Sequence, residues 1–362
     1  MNKNSIHRKG MAAAALVFIL FIDSCSSSDQ KLETAKEYPL PNEEKTIRQL
    51  SDAVKSDLAG KYAGTKVLRD AHPKHYGCVK GEFTVPELPK ELQTGLFRNP
   101  GKYPVWIRYS SALTKVQPDS SKTMIGMAVK LIGVKGEKIL PDRKTEKTQD
   151  FVLASGPIHP MKNADEFLQL VNRGLWYFLN PFNSHFNELK LILNGRKLHT
   201  DPMEIQYWSG TPYLFGEGKA VKYSAKPCEP PVKKLPEILT DNYLREAMKE
   251  TLGRKEACFD FMIQFQKDPD TMPIEDPRSE WSEEMSPFIK TASIKIPVQS
   301  FDSERQMDFC ENLSYTPWHS LPEHRPLGSI NRARKDVYLD IQKFRHEKNG
   351  AVNKEPDGKE KF

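Results

Sequence analysis

The chain has 362 residues and a formal net charge of +6, and 38% of its residues are hydrophobic. That hydrophobic share is enough to build a core, so the composition excludes an intrinsically disordered chain. The positive balance is small and mixed with 48 acidic residues, and no basic run is interleaved with aromatic residues, so the sequence gives no support for nucleic-acid binding.

The N-terminus has the pattern of a secretory signal. The basic segment "MNKNSIHRKG" precedes an apolar stretch, "MAAAALVFILFI", that is too short to cross a membrane comfortably. The residues that follow, "IDSCSSSD", resemble a bacterial lipoprotein cleavage box, in which Cys25 would be the lipidated first residue of the mature protein. Asp23 is unusual inside such a box, so ordinary signal cleavage stays open.

We therefore predict a signal peptide over residues 1–24 and a polar tether over residues 26–42. The predicted location is the bacterial cell envelope, as a periplasmic or outer-membrane lipoprotein, or otherwise as a secreted or periplasmic protein. Contact with the membrane is predicted through the lipid anchor only.

The segment "EEKTIRQLSDAVKSDLAG" follows the tether and has its apolar residues on one helical face. Strand-like runs come next. In "YPVWIRYSS", the apolar residues Val105, Ile107 and Tyr109 take alternate positions, which is the period of a strand. Arg108 and Ser110 then share the opposite face. The other early runs of this kind are "GEFTV", "TMIGMAVKLIGV" and "TQDFVLAS".

The second half of the chain adds helices and further strands. Asn163 is the predicted N-cap of the helix in "KNADEFLQLVN", with Glu166 in the capping-box position, and Gly253 is the predicted end of the helix in "TDNYLREAMKETLG". "FDFMIQFQ" and "ASIKIPVQSF" are predicted strands, and residues 351–362 are a predicted disordered tail. Strands interrupted by a few helices, without regular βαβ alternation, indicate an α+β fold with an antiparallel core.

Four cysteines follow Cys25, in a compartment where disulfides persist. Their spacing does not choose among the three possible pairings, and free buried cysteines remain equally open. They are Cys78, Cys228, Cys258 and Cys310. In "RDAHPKHYGC", His72, His75 and Cys78 are three residues apart, so a zinc site is an alternative there, although no second ligand cluster of complementary spacing is present.

The final helical segment, "NRARKDVYLDIQKFRHEKNG", carries arginines on a face that should point inward. Arg334, Tyr338, Ile341 and Arg345 fall in one stripe at about 100° per residue. Arginine is rarely buried without a partner, so this stripe requires anions. Acidic side chains from elsewhere in the fold or a bound anion would both meet that need.

These residues match a known pattern. The chain resembles the haem catalase superfamily, in its small single-domain branch, from roughly residue 52 to residue 350. On the family's haem-ligand helix, Arg-x-x-x-Tyr-x-Asp is followed by an arginine five residues later. Here these positions are Arg334, Tyr338, Asp340 and Arg345. The family's distal segment, Arg-x-x-His-x-Lys-x-x-Gly, corresponds to Arg69, His72, Lys74 and Gly77. The family's "VRFS" strand is present as "IRYS", with Arg108 and Ser110.

The resemblance implies an eight-stranded antiparallel β-barrel with flanking helices, over residues 43–350, that binds haem b. It implies Tyr338 as the axial ligand of the iron, with Arg334 as its charge partner. His72 would be the catalytic acid–base and Ser110 would orient its ring. The haem-propionate ligands would be the remaining arginines of the pattern: Arg69, Arg108 and Arg345.

The resemblance departs from full catalases on the distal side of the haem. Their "Asn-Thr-Pro-x-Phe-Phe" has no asparagine counterpart in "EKTQDFVL", where Lys147, Thr148 or Gln149 takes the place. The implied function is peroxide metabolism, in which dismutation of hydrogen peroxide and peroxidase-type reduction with an unidentified electron donor are both open. The alternatives are conversion of organic or fatty-acid hydroperoxides and a non-catalytic haem-binding lipoprotein. The sequence leaves the oligomeric state open.

Overall fold

The computed structural model describes residues 31–179, 185–352 and 354–362. Within those residues, nine strands form one antiparallel sheet. The strands are β1 His75–Val85, β2 Gly101–Ser111, β3 Ile125–Ile132, β4 Thr148–Ala154, β5 Tyr207–Trp208, β6 Tyr213–Leu214, β7 Ala220–Pro227, β8 Ala257–Phe265 and β9 Ile289–Ile296.

The sheet closes on itself. The strand order runs β5-β4-β3-β2-β1-β9-β8-β7, and β5 also pairs with β7 through Tyr207 and Ala225. The short strand β6 pairs with an earlier part of β7, through Tyr213 and Val221, four residues before Ala225. Two short strands therefore share the eighth position of the ring. The predicted eight-stranded antiparallel barrel and the α+β class are confirmed.

Strand β2 shows how the barrel separates its core from its outer face. Val105, Ile107 and Tyr109 belong to the apolar cluster inside the barrel. Arg108 and Ser110 take the alternate positions and therefore point to the outer face, as the period of a strand requires. Both are nonetheless buried, because helices and loops cover this side of the barrel.

Six helices lie in the described residues: α1 Glu43–Lys61, α2 Ala164–Arg173, α3 Phe186–Gly195, α4 Tyr243–Arg254, α5 Glu304–Asn312 and α6 Ser329–Asn349. The predicted apolar face of α1 packs against Ala333 and Ile341 of α6. Asn163 caps α2 by accepting the Glu166 N–H at 3.0 Å, as predicted. The predicted stop at Gly253 is wrong by one residue, because α4 continues to Arg254. None of the described helices has the length and apolar character needed to cross a membrane.

The predicted tether and tail both take part in the fold where the structure describes them. Residues 1–30, with the predicted signal peptide and Cys25, lie outside the described residues. From residue 33 onward the chain is bound to the domain: Glu37, for example, accepts the Gly328 N–H at 2.8 Å. In the predicted disordered tail, Glu355 pairs with the buried Lys130 at 2.7 Å and Glu360 accepts from Trp106 Nε1 at 3.1 Å. Residues 354–362 therefore contact the barrel through Glu355 and Glu360.

Two disulfides resolve the cysteine question. Cys78 is bonded to Cys310, and Cys228 is bonded to Cys258. The first bond ties β1 to α5 across 232 residues of sequence. It also removes Cys78 as a free thiolate, so the alternative of a zinc site with His72 and His75 is wrong.

Candidate functional site

Three arginines from distant parts of the chain converge on one carboxylate, on the outer face of the barrel. Glu311, near the end of α5, lies 2.9 Å from Arg69 Nη1 and 2.6 Å from Arg345 Nη2. Arg108 Nη2 lies 3.8 Å from the same carboxylate. We call Arg69, Arg108 and Arg345 the arginine cluster.

The disulfide explains why Glu311 sits there. Cys78 lies directly opposite Arg108 in the β1–β2 ladder, and its partner Cys310 immediately precedes Glu311 in α5. A covalent bond thus holds the end of α5 over the strand that carries Arg108. The position of the carboxylate follows from the tertiary fold, since Glu311 is more than 200 residues from Arg108 in sequence.

The arginine cluster carries more positive charge than its surroundings neutralise. Among the described residues, Glu311 is the one carboxylate within 4.0 Å of these guanidinium groups. Burial lowers the pKa of Arg345 to about 9, and the charge of Arg69 adds to that effect. Burial and Arg69 likewise hold the pKa of Arg108 well below its ordinary value. The Nε atoms of Arg108 and Arg345 are buried without a hydrogen-bond partner.

His72 lies next to the arginine cluster and is held from both its backbone and its ring. Its φ of 64° is a left-handed conformation that non-glycine residues seldom adopt. Arg108 Nη2 donates to the His72 carbonyl at 2.8 Å, and Ser110 Oγ lies 3.0 Å from His72 Nδ1. The ring rests against Gly126, where a Cβ would come within 2.6 Å of it. The backbone strain and the missing side chain both serve the placement of this imidazole.

The imidazole of His72 is neutral at physiological pH. Loss of water around the half-buried ring lowers its pKa to about 3, and the charges of Arg108, Arg69 and Arg334 act in the same direction. Arg334 belongs to α6, so the helix and the barrel face lie within electrostatic range of each other. A neutral imidazole can accept a proton, which an imidazolium cannot.

On α6, Arg334 and Tyr338 form a second pair. Arg334 Nε donates to the Tyr338 hydroxyl oxygen at 3.2 Å, as expected for residues one helical turn apart. Burial alone would lower the pKa of Arg334, but Tyr338 and Tyr213 outweigh it and raise that pKa. Asn331 accepts from Arg334 Nη1 at 3.2 Å, which fixes the guanidinium from its other end. Tyr338 is half-buried, so its ring is accessible to a ligand.

The structure therefore brings Arg69, Arg108 and Arg345 together, and places His72 with Ser110 and Tyr338 with Arg334. Sequence reasoning missed Glu311, Gly126 and Asn331. Asn331 lies on the same helix as Arg334 at a spacing of three, a signal that was present in the sequence. Glu311 and Gly126 gave no local signal, because their importance comes from contacts made across the fold.

Three residues were expected in the place of the distal asparagine: Thr148 and Gln149 bond elsewhere, and Lys147 is exposed. Thr148 Oγ1 lies 2.8 Å from His319 Nε2, and Gln149 Oε1 accepts the Leu321 N–H at 3.2 Å. In β4, Ala154 pairs with Gly126, the residue that the His72 ring contacts. Gln149 lies five residues from Ala154 in the same strand, which is a distance of about 17 Å. Neither side chain assists His72 in this arrangement.

Solved structures resemble the fold of this chain. A fungal catalase matches with a TM-score of 0.64 and 14% identity, over 87% of this chain and 65% of that one. The fold is that of the catalases. Catalase A from Saccharomyces cerevisiae matches with a TM-score of 0.62, at 15% identity over 87% of this chain and 67% of its own. A bacterial catalase gives 0.59 and 17%, over 88% of this chain and 64% of that one.

The comparisons also mark where the likeness ends. The chain spans about two thirds of the length of these catalases. Comparison with protein-family models gives no match, and comparison with curated proteins gives no significant match. At this level of identity the catalase likeness describes the fold, and the chemistry has to be argued from the residues of this chain.

Proposed function

We propose that this protein is a haem-dependent enzyme that consumes peroxide. The observation that carries the proposal is the charge of the arginine cluster: three guanidinium groups face one carboxylate, Glu311, and two of their Nε atoms are buried without a partner. The catalase fold and the predicted residues of the catalase pattern support the same conclusion.

The residues present fit a haem. Two uncompensated positive charges on the arginine cluster match the two propionates of haem b, which would neutralise them with charge-assisted hydrogen bonds. The half-buried Tyr338 offers an oxygen ligand of the type that catalases use for iron. The bound haem would supply the redox chemistry that cleaves the oxygen–oxygen bond of a peroxide.

His72 is proposed to move the proton in that reaction. With Nδ1–H donated to Ser110, the lone pair on Nε2 is free to accept a proton from a peroxide oxygen and return it to the oxygen that leaves as water. Three features keep the His72 ring from turning. They are its left-handed backbone conformation, the hydrogen bond from Arg108 to its carbonyl oxygen, and the contact of the ring with Gly126.

Arg334 is proposed to stabilise negative charge on the Tyr338 oxygen. Its Nε–H points at that oxygen, and Asn331 keeps the guanidinium in place. An oxygen that accepts a charged hydrogen bond holds negative charge more readily, which an anionic ligand of ferric iron requires.

Peroxidase-type reduction is the reaction we favour over fast dismutation. Thr148 and Gln149 make hydrogen bonds away from His72, and Gln149 lies about 17 Å along β4 from the residue that pairs with Gly126, so neither side chain is placed to hold a second peroxide beside His72. An electron donor of organic or protein nature, or an organic hydroperoxide as the substrate, fits a site that activates one peroxide at a time.

The test is a haem titration of the purified full chain, followed by oxygen evolution and donor oxidation measured on one loaded sample. We expect a tyrosinate-type ferric spectrum in the wild type, and we expect Tyr338→Phe to change it. Donor oxidation should exceed oxygen evolution and should fall by at least about 100-fold in His72→Ala.

Three results would count against the proposal. A spectrum that Tyr338→Phe leaves unchanged would remove Tyr338 as the ligand. Full binding of haem with no peroxide consumption, in the wild type and in His72→Ala alike, would indicate a haem-binding protein without catalysis. Oxygen evolution as the dominant reaction would restore dismutation as the activity.

A further inference from the structure

A patch of large apolar side chains is exposed on the segment around α3. Leu175 and Trp176 are each 75% exposed, and Leu179, Phe186 and Leu193 are 55–59% exposed. We call these five residues the apolar patch. Residues 180–184, which lie between Leu179 and Phe186, are outside the described residues. Tryptophan is the costliest of these side chains to leave in water, so its exposure requires an explanation.

The inner side of the same segment is already packed, so the patch is a surface of the folded domain. Tyr177 and Phe178 are buried against Ile330, the second residue of α6, and Leu189 and Ile192 of α3 join them. The segment is therefore apolar on both sides, and its inner side has found its partner within the protein. The outer side is largely exposed to solvent in the part of the chain that the structure describes.

The exposed charged residues that border the patch in sequence are basic. Arg173, Lys190, Arg196 and Lys197 are exposed next to it in sequence. The one acidic residue between Arg173 and Lys197, Glu188, is buried and paired with Arg278. Aromatic and aliphatic side chains bordered by exposed lysine and arginine have the composition of surfaces that lie in the interface of an anionic membrane.

Two paths of contacts connect the apolar patch with Glu37 and Tyr38, near the start of the folded domain. Glu37 binds the Gly328 N–H, two residues before the Ile330 that packs under the patch. The Tyr38 N–H binds Glu275, three residues before the Arg278 that pairs with Glu188 of α3. Residues under Leu175 and Trp176 are thus connected with Glu37 through the start of α6. Helix α3 is connected with Tyr38 through residues 275–278.

The length of the leading chain limits where a membrane can be. Eight residues lead from Cys25 to Glu33, the first residue of the compact unit. Even a fully extended chain of that length reaches no more than about 29 Å. A lipid on Cys25 would therefore keep the membrane within that distance of Glu33.

We propose that the apolar patch docks on the surface of an anionic membrane, with Trp176 and its apolar neighbours in the headgroup region. This inference rests on the predicted lipid anchor and is independent of the proposed haem chemistry. It goes beyond the prediction of Sequence analysis, which confined the membrane contact to the anchor. The domain would lie against the bilayer in one orientation, since an anchor and a patch together define a face.

Tryptophan fluorescence can test the proposal on the full chain. Trp106, Trp281 and Trp318 are buried and Trp208 is half-buried, so Trp176 is the tryptophan that a quencher outside the protein should reach most easily. The full chain is reconstituted in anionic vesicles whose lipids carry bromine on the acyl chains. We expect bromine to quench the wild-type fluorescence, and we expect Trp176→Phe to remove that quenching while the protein stays on the vesicles.

A second pair of variants separates docking from a general loss of fold. The double variant Leu175→Glu with Phe186→Glu should lose the bromine quenching of Trp176 and keep the wild-type circular dichroism spectrum. The matched control is Ile238→Glu, because Ile238 is 79% exposed but lies outside the patch. It should leave the quenching unchanged.

Two results would overturn the proposal. Aqueous iodide could quench Trp176 fully in vesicle-bound protein while bromolipid does not, which would place the patch in water. Alternatively, sedimentation without vesicles could show a dimer in which Trp176 is protected from iodide, and the double variant could abolish it. The patch would then be an interface between two copies of the chain.

Discussion

Two arginines on the same helix illustrate opposite uses of a buried charge. Near the start of α6, Arg332 pairs with three carboxylates: Glu37 at 2.6 Å, Glu43 at 2.5 Å and Glu275 at 2.8 Å. Burial alone would lower the pKa of Arg332, but Glu43 and Glu275 raise it above the ordinary arginine value. This arginine has more negative charge around it than it can neutralise.

Near the end of the helix, Arg345 has the opposite balance. It shares Glu311 with Arg69 and Arg108, and its pKa is lowered to about 9 by burial and then by Arg69. Arg332 and Arg345 are both largely buried arginines on one helix, at 16% and 3% side-chain exposure. The balance of charge around each arginine therefore distinguishes a structural tie from a candidate anion site, whereas burial does not.

Removing Arg332 should have the largest effect on stability. Arg332→Met leaves Glu37, Glu43 and Glu275 close together without their common partner, which should lower the free energy of unfolding by about 3 kcal/mol or more. Haem affinity of the folded fraction should stay at the wild-type value. Urea unfolding and a haem titration measure the two quantities. A loss of haem affinity without a loss of stability would reverse the roles assigned to Arg332 and Arg345.

Removing the shared carboxylate should come next. Glu311→Gln leaves the three arginines of the cluster facing one another without an anion, and we expect the apo-protein to lose about 2 kcal/mol of stability. Because haem propionates would supply negative charge at the same place, the loss should shrink when haem is bound. Thermal unfolding with and without haem is the measurement. An equal loss in both states would show that Glu311 acts as a structural bridge only.

Removing Arg345 should affect haem more than stability. Arg345→Met relieves part of the excess positive charge, so the unfolding free energy of the apo-protein should change by about 1 kcal/mol or less. Haem affinity should fall about tenfold or more, the value of one charge-assisted hydrogen bond. A spectroscopic titration gives the affinity. Arg345→Lys keeps the charge but loses the planar guanidinium group. Its haem affinity should lie between those of the wild type and Arg345→Met.

The smallest expected effect concerns pH and His75, which lies 3.9 Å from Glu311. Its pKa is lowered to about 2, first by burial and then by Arg108 and Arg69. The unfolded chain therefore binds a proton below about pH 6.5 that the folded chain does not, so the contribution of His75 to stability falls as the pH drops below that value. His75→Gln should flatten this decline by up to about 1.4 kcal/mol per pH unit, measured by urea unfolding at pH 7 and pH 5.

His324 is the matched control for that measurement. Its pKa is lowered to about 3 by burial alone, without the arginines. His324→Gln should flatten the pH dependence to a similar degree in the apo-protein. Haem carboxylates beside the arginine cluster should reduce the effect of His75→Gln and leave that of His324→Gln unchanged. Equal responses of both variants to haem would argue against an anion at the cluster.

Much of the fold was predictable from local patterns. The alternation in β2 assigned Val105, Ile107 and Tyr109 to the core, and the period of α6 placed Arg334, Tyr338 and Arg345 on one stripe. Such patterns depend on backbone geometry, which the residues of one segment determine by themselves. The ring of eight strands came from the resemblance to catalases, since no local pattern indicates which strands pair.

By itself, the sequence determined that a helix with inward-facing arginines needs anions and that a strand presents Arg108 and Ser110 on one face. Only the tertiary structure decided which arginine receives which anion. It joined Cys78 to Cys310, brought Glu311 to the arginine cluster and surrounded Arg332 with three carboxylates. It also left Trp176 exposed next to buried neighbours. Charge balance and exposure depend on partners far away in sequence, and these partners come together only when the barrel closes and α6 packs against it.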